Sequence, residues 1–135
     1  MKLKTFTVIL VLFCAFNFSS AQTKQWKEQE EFHKVMSATF HPAEEGNLAP
    51  LKLRSAELAA KANDWRKSEI PATVSDKKAV KKSLNKLCKD SKKLNKSLKK
   101  GASESELKTE LAGLHDTFHT IVGLCSAKEE HHDAH

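Results

Sequence analysis

Apolar residues recur along this chain at helical spacing in four separate stretches. The first runs from about residue 24 to 40 and carries Trp26, His33, Met36 and Phe40 on its seam, with Phe32 and Val35 alongside. His41-Pro42 predicts its end, because the residue before a proline avoids the α region. A loop over 41–50 follows, with Gly46 inside it and Pro50 at the next helix start. The second stretch covers about 51–66, with Leu51, Ser55, Leu58, Ala59, Ala62 and Trp65 inward, and Ile70-Pro71 breaks the chain after it. Ser75 is the expected N-cap of a third helix over about 76–99. Its stripe is Val80, Leu84, Leu87, Ser91, Leu94 and Leu98. Gly101 suits a C-terminal cap. Ser103-x-x-Glu106 then reads as a capping box opening a fourth helix, whose stripe is Leu107, Leu111, Leu114, Phe118, Ile121 and Cys125.

Four amphipathic helices on short to moderate connections predict an all-α fold, an up-down-up-down antiparallel four-helix bundle. Three helices with the first detached is the alternative, and the apolar stripe on the first helix argues against it. The absence of Tyr and the abundance of Lys, Leu, Ala and Glu agree with a helical chain.

Residues 1–21 read as a signal peptide: Lys2 and Lys4, an apolar run from Thr7 to Phe16, then Ser19-Ser20-Ala21 as a small-residue cleavage site. The run is short for a membrane span, which needs ~20 apolar residues. A retained anchor is the alternative, and Cys14 follows Leu12-Phe13 rather than the small residue that lipidation requires just before it. The expected organisation is therefore a signal peptide over 1–21, a bundle over 22–128 and a polar, His-rich tail over 129–135, in a periplasmic or secreted protein. Cleavage would leave 21 basic against 17 acidic residues, a net charge of +4. That mild balance, in an exported chain, argues against a nucleic-acid partner.

The chemistry then rests on histidines. His33 and Met36 are three apart, His115 and His119 four apart, so each pair shares one face of its helix. The stripes predict that both faces point inward. In an antiparallel pair of helices, residues at one level have numbers with a constant sum, here about 150. His33 then lies level with His119, and Met36 with His115. Imidazole and thioether together favour copper, most obviously Cu(I), whereas zinc prefers imidazole, thiolate and carboxylate. The same reasoning across the tight turn near residue 102 sets Cys88 level with Asp116, either as a further ligand or as a small buried hydrophobe. Cys125 falls ~13 Å further along the axis, too far for a disulfide with Cys88. His41, Glu44 and Glu45 form a weaker cluster, and His131, His132 and His135 can scavenge metal. The many lysines of the third helix read as a solvated face or as a dock for an acidic protein.

The run Leu111-Ala112-Gly113-Leu114-His115-Asp116-Thr117-Phe118 resembles the fourth-helix motif of the cytochrome c prime family, periplasmic four-helix bundles with C-x-x-C-H at that place. His115 matches the haem-ligating histidine, while Leu111 and Leu114 replace both attachment cysteines. The resemblance implies that covalent haem is excluded and that non-covalent haem b, ligated by Met36 and His115 as in related b-type bundles, is the alternative cofactor. Haem takes two axial ligands, so four aligned candidates favour a bare ion. The leading expectation is an exported transition-metal protein for copper handling or sensing, with His33, Met36, His115, His119 and Cys88 as metal ligands. A haem-b electron carrier and a non-metal interaction module, including a homodimer, are the alternatives. The sequence offers no nucleophile–base pair and no paired carboxylates at a defined site, so an enzyme is not expected.

Overall fold

The computed structural model describes residues 26–127. The signal peptide expected over 1–21 and the tail over 129–135 lie outside the described residues. Four helices form: α1 (Lys27–Glu44), α2 (Ala49–Lys67), α3 (Lys77–Lys99) and α4 (Glu104–Ser126). Each packs against its neighbours in the chain, and α4 returns to α1 in a looser contact that closes the ring. The expected all-α four-helix bundle is what forms. None of these helices is long and apolar enough to cross a membrane.

The element ends follow local chemistry. Asp76, not Ser75, caps α3: its carboxylate accepts the Ala79 amide at 2.9 Å. Ser103 caps α4 as its motif predicts, accepting the Glu106 amide at 3.2 Å. Helix α1 does not stop at His41-Pro42 but runs one turn further, with Pro42 inside it. Proline there forfeits a single bond, to the Ala38 carbonyl, while the turn is closed from beyond. The Asn47 amide donates to the Pro42 carbonyl (2.8 Å) and the Gly46 amide to that of Ala43 (3.0 Å). These are the two bonds of a Schellman cap, made by a glycine at φ +88°. Gly101, at φ +77°, closes α3 with the same pair of bonds.

The inner faces of α2, α3 and α4 are the expected ones, with Leu98 and Cys125 only half-buried. On α1 the inner face is rotated. Phe32, Val35, Met36, Thr39 and Ala43 are buried, Phe40 is half-buried and His33 is exposed. Two seams of helical spacing compete on this segment. The one that buries Phe32, Val35 and Ala43 along with Met36 prevails, and it can include Thr39 because that hydroxyl donates within the helix, to the carbonyls of Val35 and Met36 (both 3.0 Å). A threonine satisfied in this way can be buried without losing a hydrogen bond, whereas an imidazole cannot satisfy both ring nitrogens within its own helix. The centre of the bundle is aromatic: Trp65 contacts Trp26, Phe32 and Phe118 at ring separations of 5.6, 5.6 and 6.0 Å. Trp26 remains at its edge, where its indole N–H donates to Ser68 Oγ at 2.9 Å.

Candidate metal centre at the α1–α4 seam

On α4 the inward residues Leu111, Leu114, Phe118 and Ile121 leave His115 and His119 on the flank that faces α1. On α1 the rotation of the inner face turns His33 and Phe40, seven residues apart, onto the facing flank. The two flanks interleave. His33 lies flat on Phe118, with ring centres 4.9 Å apart and planes at 5°. Phe40 lies flat on His115, at 3.9 Å and 8°. His119 meets the edges of both Phe118 (5.4 Å) and His115 (4.4 Å). His41 stands edge-on to Phe40 at 5.7 Å, and its Nδ1 is 3.4 Å from the Glu44 carboxylate.

The two helices meet along the expected flanks, but the expected facings do not form. His33 meets Phe118 rather than His119, and His115 meets Phe40 rather than Met36, offsets of one residue on α4 and one turn on α1. The expectation that the histidines point inward is corrected by the same contacts. His33 and His119 are exposed, and His115 is half-buried. Sequence reasoning missed the two phenylalanines as the partners that orient the imidazoles. The signal was present in the interleaving of His and Phe at helical spacing on both segments.

His115 and His119 come together at one point. Their Nε2 atoms are 3.1 Å apart, so one ring N–H donates to the other ring's free nitrogen. An ion bound to both nitrogens at 2.0–2.1 Å would need nearly that separation, with a bite angle of about 100°. The pKa of His115 is lowered, first by burial against its neighbours and then by the positive field of His119, with Asp116 and Glu44 opposing. The neutral, ligating form is thus favoured.

The other expected ligands lie elsewhere. Met36 is wholly buried in the core, on the inner side of α1. Cys88 is buried at the α2–α3 seam, its thiol 3.8 Å from the Asn63 side-chain oxygen, and it is not brought to the histidines. Both Cys88 and Cys125 are free thiols. Among the described residues no group of three or more His, Cys, Asp or Glu side chains is placed to hold a metal ion, so the His115–His119 pair stands without a third protein ligand of these types. Haem fits these residues poorly. Met36 is wholly buried in a core filled by Phe32, Trp65 and Phe118, whose rings are in mutual contact, whereas His115 is half-buried with its ring stacked on Phe40. Beyond Phe40 the seam continues as a shallow groove of about 210 Å³, with Ala43, Leu111 and Ala112 on its floor and Glu44 and Lys108 at its rim. Compared with protein-family models, with curated proteins and with solved structures, the chain matches none.

Proposed function

We propose that this is an exported, non-enzymatic protein that binds a transition-metal ion, copper first, through the His115–His119 pair on α4. The observation that carries the reading is the convergence of two Nε2 atoms at 3.1 Å on an accessible flank of a rigid helix. Stacking on Phe40 holds the His115 ring, and contact with Phe118 steers that of His119. Little side-chain freedom is then lost when an ion replaces the shared proton. Histidine ligands without a thioether favour Cu(II), which also heads the affinity order of divalent ions at nitrogen sites. The buried Met36 thus moves the expected oxidation state from Cu(I) to Cu(II). Two protein ligands leave coordination positions for water or for a donor from a metal-exchanging partner, which suits handling or sensing better than permanent storage.

The test is a competition titration with Cu(II) in a background where His131, His132 and His135 are replaced by alanine, so that the tail cannot bind. His115→Ala and His119→Ala should each weaken binding by about tenfold or more, comparable with or beyond the loss of a group that only orients a ligand. His33→Ala should change it little. Unchanged affinity in both α4 variants would refute the assignment.

A further inference from the structure

The outward half of α3 has a composition that bundle stability does not explain. From Lys77 to Lys100 every exposed position is lysine except Asn85. At 100° per residue these positions cover one half of the helix circumference, over about 35 Å of length. The helix itself carries ten lysines and one acid, Asp90, for a net charge of +9. The rest of the described chain has nine basic and thirteen acidic side chains, so the charge is confined to this face. Two ion pairs relieve it, Lys86 with Asp90 and Lys93 with Glu110. Lysines also repeat at four-residue spacing, as in Lys78-Lys82 and Lys92-Lys96-Lys100, where like charges oppose the helix. Lys77 and Lys78 also stand at its positive end. Solubility alone is served by mixed charges.

The residue types narrow the partner. Specific protein interfaces concentrate aromatic residues, Met and Arg and are depleted in Lys. This face has none of the first three among its exposed positions. It presents hydrated point charges that demand no particular geometry from what they meet. It also lacks any apolar side chain that could insert between lipid tails. We infer that the outer face of α3 docks the protein, by charge alone, on an anionic lipid surface, with the helix lying parallel to the plane. A rigid basic rod meets many headgroups at once, and each lysine near such a surface strengthens attachment about fivefold. Helix α3 lies diagonally across the bundle from α1, so docking leaves the α1–α4 seam open to water. The inference stands whether or not the histidine pair binds metal.

Flotation of the full chain with vesicles tests it. One set is phosphatidylcholine alone and the other is phosphatidylcholine mixed with phosphatidylglycerol. The quantity read is the excess binding to the anionic set, so any apolar attachment by other segments cancels. A clear excess is expected, falling steeply as salt shortens the Debye length. Combined Lys78→Gln, Lys89→Gln and Lys96→Gln should reduce it roughly 100-fold, at about fivefold per lysine. The matching arginine triple variant should retain it, and circular dichroism should show both variants helical. Equal binding to the two sets, an unaffected glutamine variant, or attachment to polyglutamate or duplex DNA without attachment to anionic vesicles would each overturn the inference.

Discussion

At His115 two neighbours act in the same direction. Phe40 covers one face of the ring, and His119 presents a second proton acceptor that becomes a like charge when both are protonated. Both depress the His115 pKa. The stability this confers is present above the ordinary histidine pKa of ~6.5 and is lost as pH falls through the depressed folded value. An NMR titration should find His115 below a free histidine. Phe40→Ala should raise it by removing the cover, and His119→Ala should raise it by removing the repulsion. A ring that titrates like a free histidine in all three proteins would show that the stack does not form in solution. Met36 allows a second separation at this scale. Met36→Ala should cost about 2–5 kcal/mol in denaturant unfolding, as a buried truncation does. Met36→Leu should cost less than about 1.5 kcal/mol and leave metal affinity unchanged. A Leu variant that loses affinity would return the sulfur to the site.

At the scale of the elements, α3 and α4 were legible because each has a dominant apolar stripe, and α2 because Leu51, Leu58 and Trp65 recur at seven-residue spacing on one face, although Leu53 stands exposed outside it. Their inward faces needed no knowledge of the partner helix. On α1 two stripes compete, and pattern alone weighted an imidazole as apolar and a threonine as polar. The hydrogen bonds of Thr39 to its own helix let it join Phe32, Val35, Met36 and Ala43 in the core, and the face turns with that stripe. The same turn explains why the candidate site was read on the right pair of helices but with the wrong facings. Which helices meet follows from helix length and turn position, which the sequence marks with caps and glycines. Facing depends on a rotation of α1, which is set by the competition between its two stripes and not by the pattern of either one. Two caps permit direct checks. Asp76→Ala should cost about 1 kcal/mol, since the Ala79 amide loses its acceptor. Ser75→Ala should cost little, although the sequence nominated it. Equal losses in thermal or urea unfolding would restore Ser75 as the cap.

Across the whole molecule, chemistry and charge are segregated. The four described histidines gather on one seam, between the two helices that meet most loosely. The lysines gather on α3, away from α1. The two described thiols stand apart from both, with Cys88 at the α2–α3 seam and Cys125 near the end of α4. Each helix thus spends its inner stripe on the core, where burying a large apolar side chain contributes about 1.5–3 kcal/mol, and leaves its flank free for another role. The central claim concerns one such flank, and pulsed EPR of the protein loaded with one equivalent of Cu(II) tests it most directly, in the background lacking the three tail histidines. The account predicts the nitrogen modulation of two coordinated imidazoles in the parent, one in either His115→Ala or His119→Ala, and none in the double variant. Two imidazoles persisting in the double variant would contradict it.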